Sequence, residues 1–173
     1  HYIEIELVID QVKTDQLEIA LPAWRPGRYE LGNFSRNIQR WHALDEKGEL
    51  LSFKKSDRNT WLVQCRGKEK VRVRYTYYAA EINAGSSFLD ETQLYVNPVN
   101  LAMYVPDRLE EACTIELQVP QDWKVACAMK REEWVTEGEP EGLKREIMHA
   151  ADFHEFADSP FIVSPALQHN MFI

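Results

Sequence analysis

Apolar and polar residues alternate with period two along most of this chain, and that pattern confines the fold to antiparallel sheet. Ile3, Ile5, Leu7 and Ile9 fall on one face of an opening strand, with Glu4 and Glu6 on the other. Val71, Val73, Tyr75, Tyr77 and Ala79 alternate with Arg72, Arg74 and Thr76, the cleanest run in the chain. Cys113, Ile115, Leu117 and Val119 repeat the pattern, and Trp123, Val125 and Cys127 follow the turn Pro120-Gln121-Asp122. Successive side chains of a strand point to opposite faces, so each run gives a strand with one buried face. Further strands are expected near 16–21, 38–44, 49–54, 60–65, 93–97, 100–105, 143–149 and 161–167.

Turn residues separate these runs at short intervals, as in Asp45-Glu46-Lys47-Gly48, Arg66-Gly67-Lys68, Asn97-Pro98 and Glu137-Gly138-Glu139-Pro140. The expected fold is all-β, an antiparallel β-sandwich or saddle with one or two short helices. Leu31, Phe34 and Ile38 could share one short helical face. Asp152 followed by Glu155 has the form of a capping box, and Pro160 would stop that helix. No repeat, linker or low-complexity stretch marks a boundary, so residues 1–173 read as a single β-domain. The chain begins at His1 and stops at Ile173 in an extended apolar stretch, which suggests a piece of something longer.

One corner stands out. Leu21-Pro22-Ala23-Trp24-Arg25-Pro26-Gly27-Arg28-Tyr29 puts two prolines and a glycine at the end of a strand. Each proline fixes φ and extends the residue before it, while glycine permits the reversal that follows. The stretch should build one rigid corner, with Trp24 and Tyr29 packed beneath it. Trp41, Trp61 and Trp123 also fall on strands or their ends, where rings bury area in the sheet packing. A row of exposed tryptophans would instead suit a carbohydrate surface.

Charge narrows the partners. The net charge of −8 disfavours nucleic acid, which needs a basic face. Lysines and arginines near 54–58 and 66–74 read as solvated strand faces and turns. No apolar run approaches the roughly eighteen residues of a membrane span. Cys65, Cys113 and Cys127 sit in apolar alternation and read as reduced, buried thiols.

Candidate chemistry is sparse. His154-Glu155-Phe156-Ala157-Asp158 looks like the start of the zinc motif H-E-x-x-H, in which two histidines share a helix face. The fourth residue on is Asp158, however, and Asp158-Ser159-Pro160 reads as a helix exit. His149, His154 and Asp158 could form a metal site only if the fold gathered them. There is no G-x-S-x-G elbow and no phosphate loop. The loop carboxylates Asp90 and Glu91 lie in a polar stretch with Asn83, Ser86 and Ser87 and could bind an amine.

These residues together resemble a family. The W-x-P-G-x-Y corner followed by Asn33–Ile38, then Asp45–Gly48, Lys55–Trp61, Val71–Tyr78, Val119–Trp123 and Phe153–Pro160, is similar to the N-terminal domain of glycyl-aminopeptidase-like zinc metallopeptidases. That group often carries a PDZ domain. The resemblance spans nearly the whole chain and rests on Trp24, Pro26, Gly27 and Tyr29 paired with Asp158, Ser159 and Pro160. It implies a saddle-shaped β-domain like that of the aminopeptidase N superfamily. Such a domain precedes a thermolysin-like catalytic domain that carries the zinc ligands and general base.

The chain would then hold no catalytic residue, metal ligand or cofactor of its own, with zinc expected in the missing catalytic domain. Its partners would be the catalytic domain of the same polypeptide and, in the full-length protein, a peptide substrate. In aminopeptidase N relatives an acidic or amide residue of this domain helps hold the substrate amine, and Asp90 and Glu91 are the candidates by position. The competing expectation is a self-standing β-sandwich module that binds peptide or carbohydrate. The sequence does not indicate a compartment.

Overall fold

The strongest run, Val71–Tyr78, lies inside a four-stranded sheet. In the computed structural model, which describes residues 1–25, 31–83 and 85–168, strands β1 (Tyr2–Ile9), β2 (Gln16–Ala20), β3 (Ile38–Asp45), β4 (Leu50–Leu51), β5 (Phe53–Lys55), β6 (Thr60–Gln64) and β7 (Val71–Tyr78) come first. After them run β8 (Phe88–Leu89), β9 (Leu94–Val96), β10 (Cys113–Pro120), β11 (Lys124–Ala126), β12 (Lys130–Arg131), β13 (Leu143–Ala150) and β14 (Phe161–Ser164). One α-helix, α1 (Phe153–Ala157), precedes β14. Among the described residues all the strand pairings are antiparallel, as the alternation requires, and no barrel closes.

The strands segregate into two compact units. The first comprises His1–Ala79 with Val99–Leu109, and the second Ala80–Pro98 with the chain from Glu110 onward. No linker separates them, because the chain leaves the first unit and returns to it.

In the first unit, the sheet β1-β7-β3-β4 and the sheet β2-β6-β5 share one core. Ile9, Val71, Val73, Tyr75 and Ala43 come from one sheet, and Leu17, Ile19, Trp61 and Val63 from the other. A bulge in β3 between Gln39 and His42, with Arg40 at a φ of 53°, shifts the register against β7. The buried Tyr75 hydroxyl donates to the Leu101 carbonyl at 2.6 Å, and burial pushes its pKa up.

Asp45, 1% exposed, ends β3. Its Oδ1 accepts the Lys47 and Glu49 amides at 2.9 Å each, and Lys68 Nζ donates to Oδ2 at 2.5 Å. The Lys68 ammonium and these amides hold the Asp45 carboxyl at a pKa of about 2. The expected turn at 45–48 is therefore a charged anchor joined to the connection between β6 and β7.

In the second unit, the sheet β10-β13-β12 and the sheet β11-β14-β9-β8 contribute the buried Met148, Ala150, Val125, Val163, Leu94 and Phe161. The Asp152 carboxylate accepts the Glu155 amide at 2.7 Å and the Glu155 carboxylate accepts the Ala151 amide. The capping box is present, offset by one residue at its return bond. The β13 face that turns inward carries Lys144 and Glu146, 5% and 3% exposed and 2.9 Å apart.

Three expectations differ from the structure. Residues 100–105 form no strand. A 3₁₀ turn at Pro98–Asn100 leads into a segment held by the Tyr75 hydroxyl and by one bridge from Tyr104 to Ala20. Leu31, Phe34 and Ile38 share no helical face, since only the 3₁₀ turn Phe34–Asn37 forms and Leu31 is exposed. The strand expected over 49–54 breaks at Ser52, so that β4 joins one sheet and β5 the other. Among the described residues no helix is long and apolar enough to cross a membrane.

Candidate functional site

The described flanks of the corner contradict a packed tryptophan. Trp24 is 56% exposed, because Leu21 alone enters the core at the end of β2 and the chain then turns outward. Pro26, Gly27 and Tyr29 lie outside the described residues. The Gly32 amide donates to the Ala23 carbonyl at 2.8 Å. The Phe34 ring covers Gly32 so closely that a Cβ there would lie 2.1 Å from it. Any larger residue there would have to displace the Phe34 ring.

Asp158, Ser159 and Pro160 end α1. The Asp158 amide donates to the His154 carbonyl and the Ser159 amide to the Phe156 carbonyl, both at 3.1 Å. Ser159 is buried while Asp158 and Pro160 are exposed. This is a helix exit, with no reactive group held in place.

Asp90 and Glu91 behave differently from each other. Asp90 Oδ1 accepts from the Thr92 amide and hydroxyl at 2.8 Å each and from the Gln93 amide at 2.9 Å. These bonds, the Thr92 amide foremost, lower the Asp90 pKa. The carboxylate holds its own loop together in the manner of an Asx turn. Glu91 is exposed beside it.

The histidines do not converge. His149 Nε2 lies 2.7 Å from Glu132 Oε1, and its Nδ1 lies 3.3 Å from the Thr114 hydroxyl. His42 Nδ1 meets the Arg40 carbonyl at 3.0 Å, and His154 is exposed on α1. His169 lies outside the described residues. Among the described residues, no three His, Cys, Asp or Glu side chains come close enough together to hold a metal ion. The zinc that the resemblance implies therefore finds no fitting donor set in them. Cys65, Cys113 and Cys127 are free thiols. Cys65 is buried, the other two are half-buried, and burial raises the pKa of all three.

Trp41 and Trp61, expected to bury area in the sheet packing, form an aromatic cluster that Phe53 joins. Trp41 stacks on Trp61 at 5.5 Å with 10° between planes and meets Phe53 at 4.3 Å. Lys55 Nζ sits 4.3 Å over the Trp61 ring. Trp61 is buried, Trp41 half-buried and Phe53 exposed, so the cluster forms the wall of the first unit's core rather than a row of open rings. The β3 bulge that sets Trp41 has no sequence signal beyond a break in alternation.

The comparisons fit this scaffold. A family model described as the peptidase M61 N-terminal domain matches residues 1–165. An aminopeptidase N family protein from Idiomarina loihiensis is similar at 30% identity and a TM-score of 0.81, over 95% of this chain and 27% of that one. An M1 zinc metallopeptidase from Deinococcus radiodurans is similar at 11% identity and a TM-score of 0.52, over 94% of this chain and 37% of that one. A mutant of it with a bound Tyr-Ser-Ala substrate gives 10% and 0.53, over 94% and 38%. At that identity the Deinococcus structures show the fold alone. No curated protein matches significantly. This chain thus spans about a quarter to two fifths of the length of these solved relatives. With an antiparallel framework and a family match over nearly its full length, the chain belongs to the peptidase M61 N-terminal domain family.

Proposed function

We propose that this chain is a non-catalytic domain of a zinc aminopeptidase-like protein, where it packs on the catalytic domain and shapes the cleft that receives a peptide's amino end. One observation carries the reading: 95% of the chain aligns with only 27% of an aminopeptidase N family protein. A match of that kind supports reading the chain as one module of a longer polypeptide, with the chemistry supplied by another part. The anchored turns and the half-charged, half-apolar strand faces suit a scaffold. Asp90 supports the cleft only indirectly in this reading, by fixing the loop that presents Glu91.

The test separates the pieces. The remainder of the full-length polypeptide is expressed alone, and residues 1–173 are added in trans. The reading predicts association by sedimentation and a several-fold lower KM for a tripeptide with a free amine. Absence of both effects, with both pieces folded, would overturn it.

A further inference from the structure

The long edge strand of the first unit has the form of a peptide-docking edge. β1 is outermost in the sheet β1-β7-β3-β4 and runs for eight residues without bulge or proline. The Ala79 amide donates to the His1 carbonyl at 2.7 Å, which sets the phase of the β1–β7 ladder. With Ile3 opposite Tyr77 and Ile5 opposite Tyr75, odd residues of β1 bond to β7. The backbone N–H and C=O groups of Tyr2, Glu4, Glu6 and Val8 therefore point away from the sheet, at the spacing an added strand requires.

The side chains carry the same mark of incompleteness. On the core-facing side, Tyr77, Tyr75 and Val73 of β7 are buried, while their partners Ile3, Ile5 and Leu7 are only half-buried. One more strand, placing apolar residues on that side, would cover them. On the other side Tyr2 is 55% and Val8 46% exposed, with the Tyr2 ring 5.2 Å from Tyr78.

Natural edges are shielded by brevity, lysine or proline. β5, one edge of the companion sheet, has such protection: three residues, two of them Lys54 and Lys55. β1 has neither brevity nor lysine. It carries Glu4 and Glu6 instead. Glu6 is bonded to Arg74, while Glu4 stands opposite Thr76. Two copies pairing antiparallel through β1 would set these glutamates against their counterparts, which opposes self-association. A strand bearing cations at those positions is favoured instead.

We propose that β1 docks an extended segment of alternating basic and apolar residues, which joins the sheet as a further strand. The basic side chains meet Glu4 and Glu6, and the apolar ones cover Ile3, Ile5 and Leu7.

The probe is a short synthetic peptide of alternating lysine and valine, read by fluorescence polarisation and by amide hydrogen exchange of the protein. The expected result is salt-sensitive binding. It should protect the amides of Tyr2, Glu4, Glu6 and Val8, which exchange freely before addition. An alternating glutamate–valine peptide should bind about ten-fold more weakly. Glu4→Pro removes an outward N–H without touching the β1–β7 ladder and should weaken binding by about ten-fold. Its thermal midpoint reports whether the sheet survives. Glu4→Lys, a second variant that leaves the backbone alone, should shift preference toward the glutamate–valine peptide. No binding by the wild-type chain, equal binding of both peptides, or protection mapped away from β1 would overturn the proposal. So would sedimentation showing a dimer that Glu4→Pro abolishes, since a second copy would then occupy the edge.

Discussion

Single residues decide how the turns hold, and Asp45 shows how. The sequence Asp45-Glu46-Lys47-Gly48 announces a turn, and the structure forms one, with Gly48 at a φ of 83°. Nothing in it announced Lys68, which comes from the connection between β6 and β7 to complete the carboxylate's shell. The consequence is a pH dependence. The folded Asp45 pKa of about 2 lies below its ordinary value of 3.8, so its contribution is fully present above about pH 4 and is lost as pH falls toward 2. The wild type should unfold at a higher temperature than Asp45→Asn at neutral pH, and the two midpoints should converge between about pH 4 and 2. A gap that stays constant across that range would contradict the assignment. Trp24 is the opposite case: a large ring beside two prolines reads as an anchor, yet it is exposed. Residue type predicts burial only when the strand's alternation carries it inward.

Elements were the most legible scale. Of the eight-residue strands, β1, β7 and β10 follow the apolar–polar alternation closely, because each turns its apolar face inward and period two records that directly. The two-residue strands β4, β8 and β12 are too short to leave a pattern. The segment 100–105 misled because its apolar residues are buried by side-chain bonds and a single bridge, without a ladder. β13 holds the least expected feature, Lys144 and Glu146 facing inward with the Lys144 ammonium 5.2 Å from the Trp134 ring. Strand periodicity puts 144, 146 and 148 on one face, but charge argued for the outside. Glu146→Ala should destabilise the chain by about 3–5 kcal/mol, because it strands a buried cation. The double change Lys144→Met with Glu146→Leu should fall within about 1 kcal/mol of wild type or exceed it. Urea unfolding of the two variants distinguishes this pair from a surface ion pair, for which both effects would be below about 1 kcal/mol.

For the whole molecule, strand content was legible and strand partnership was not. β1 pairs with β7 across about seventy residues of sequence, and β10 pairs with β13 across some thirty, and no local signal encodes such distances. The return of Val99–Leu109 to the first unit is equally silent in the sequence. The family, by contrast, was readable from the corner together with Asp158-Ser159-Pro160, even though the corner's central residues fall outside the described structure. Those motifs identify the family. Zinc-dependent release of amino-terminal residues, measured on purified residues 1–173 and on the full-length protein side by side, therefore tests the central claim most directly. The account predicts chelator-sensitive release by the full-length protein and none by residues 1–173. Zinc-dependent release by residues 1–173 alone would contradict it.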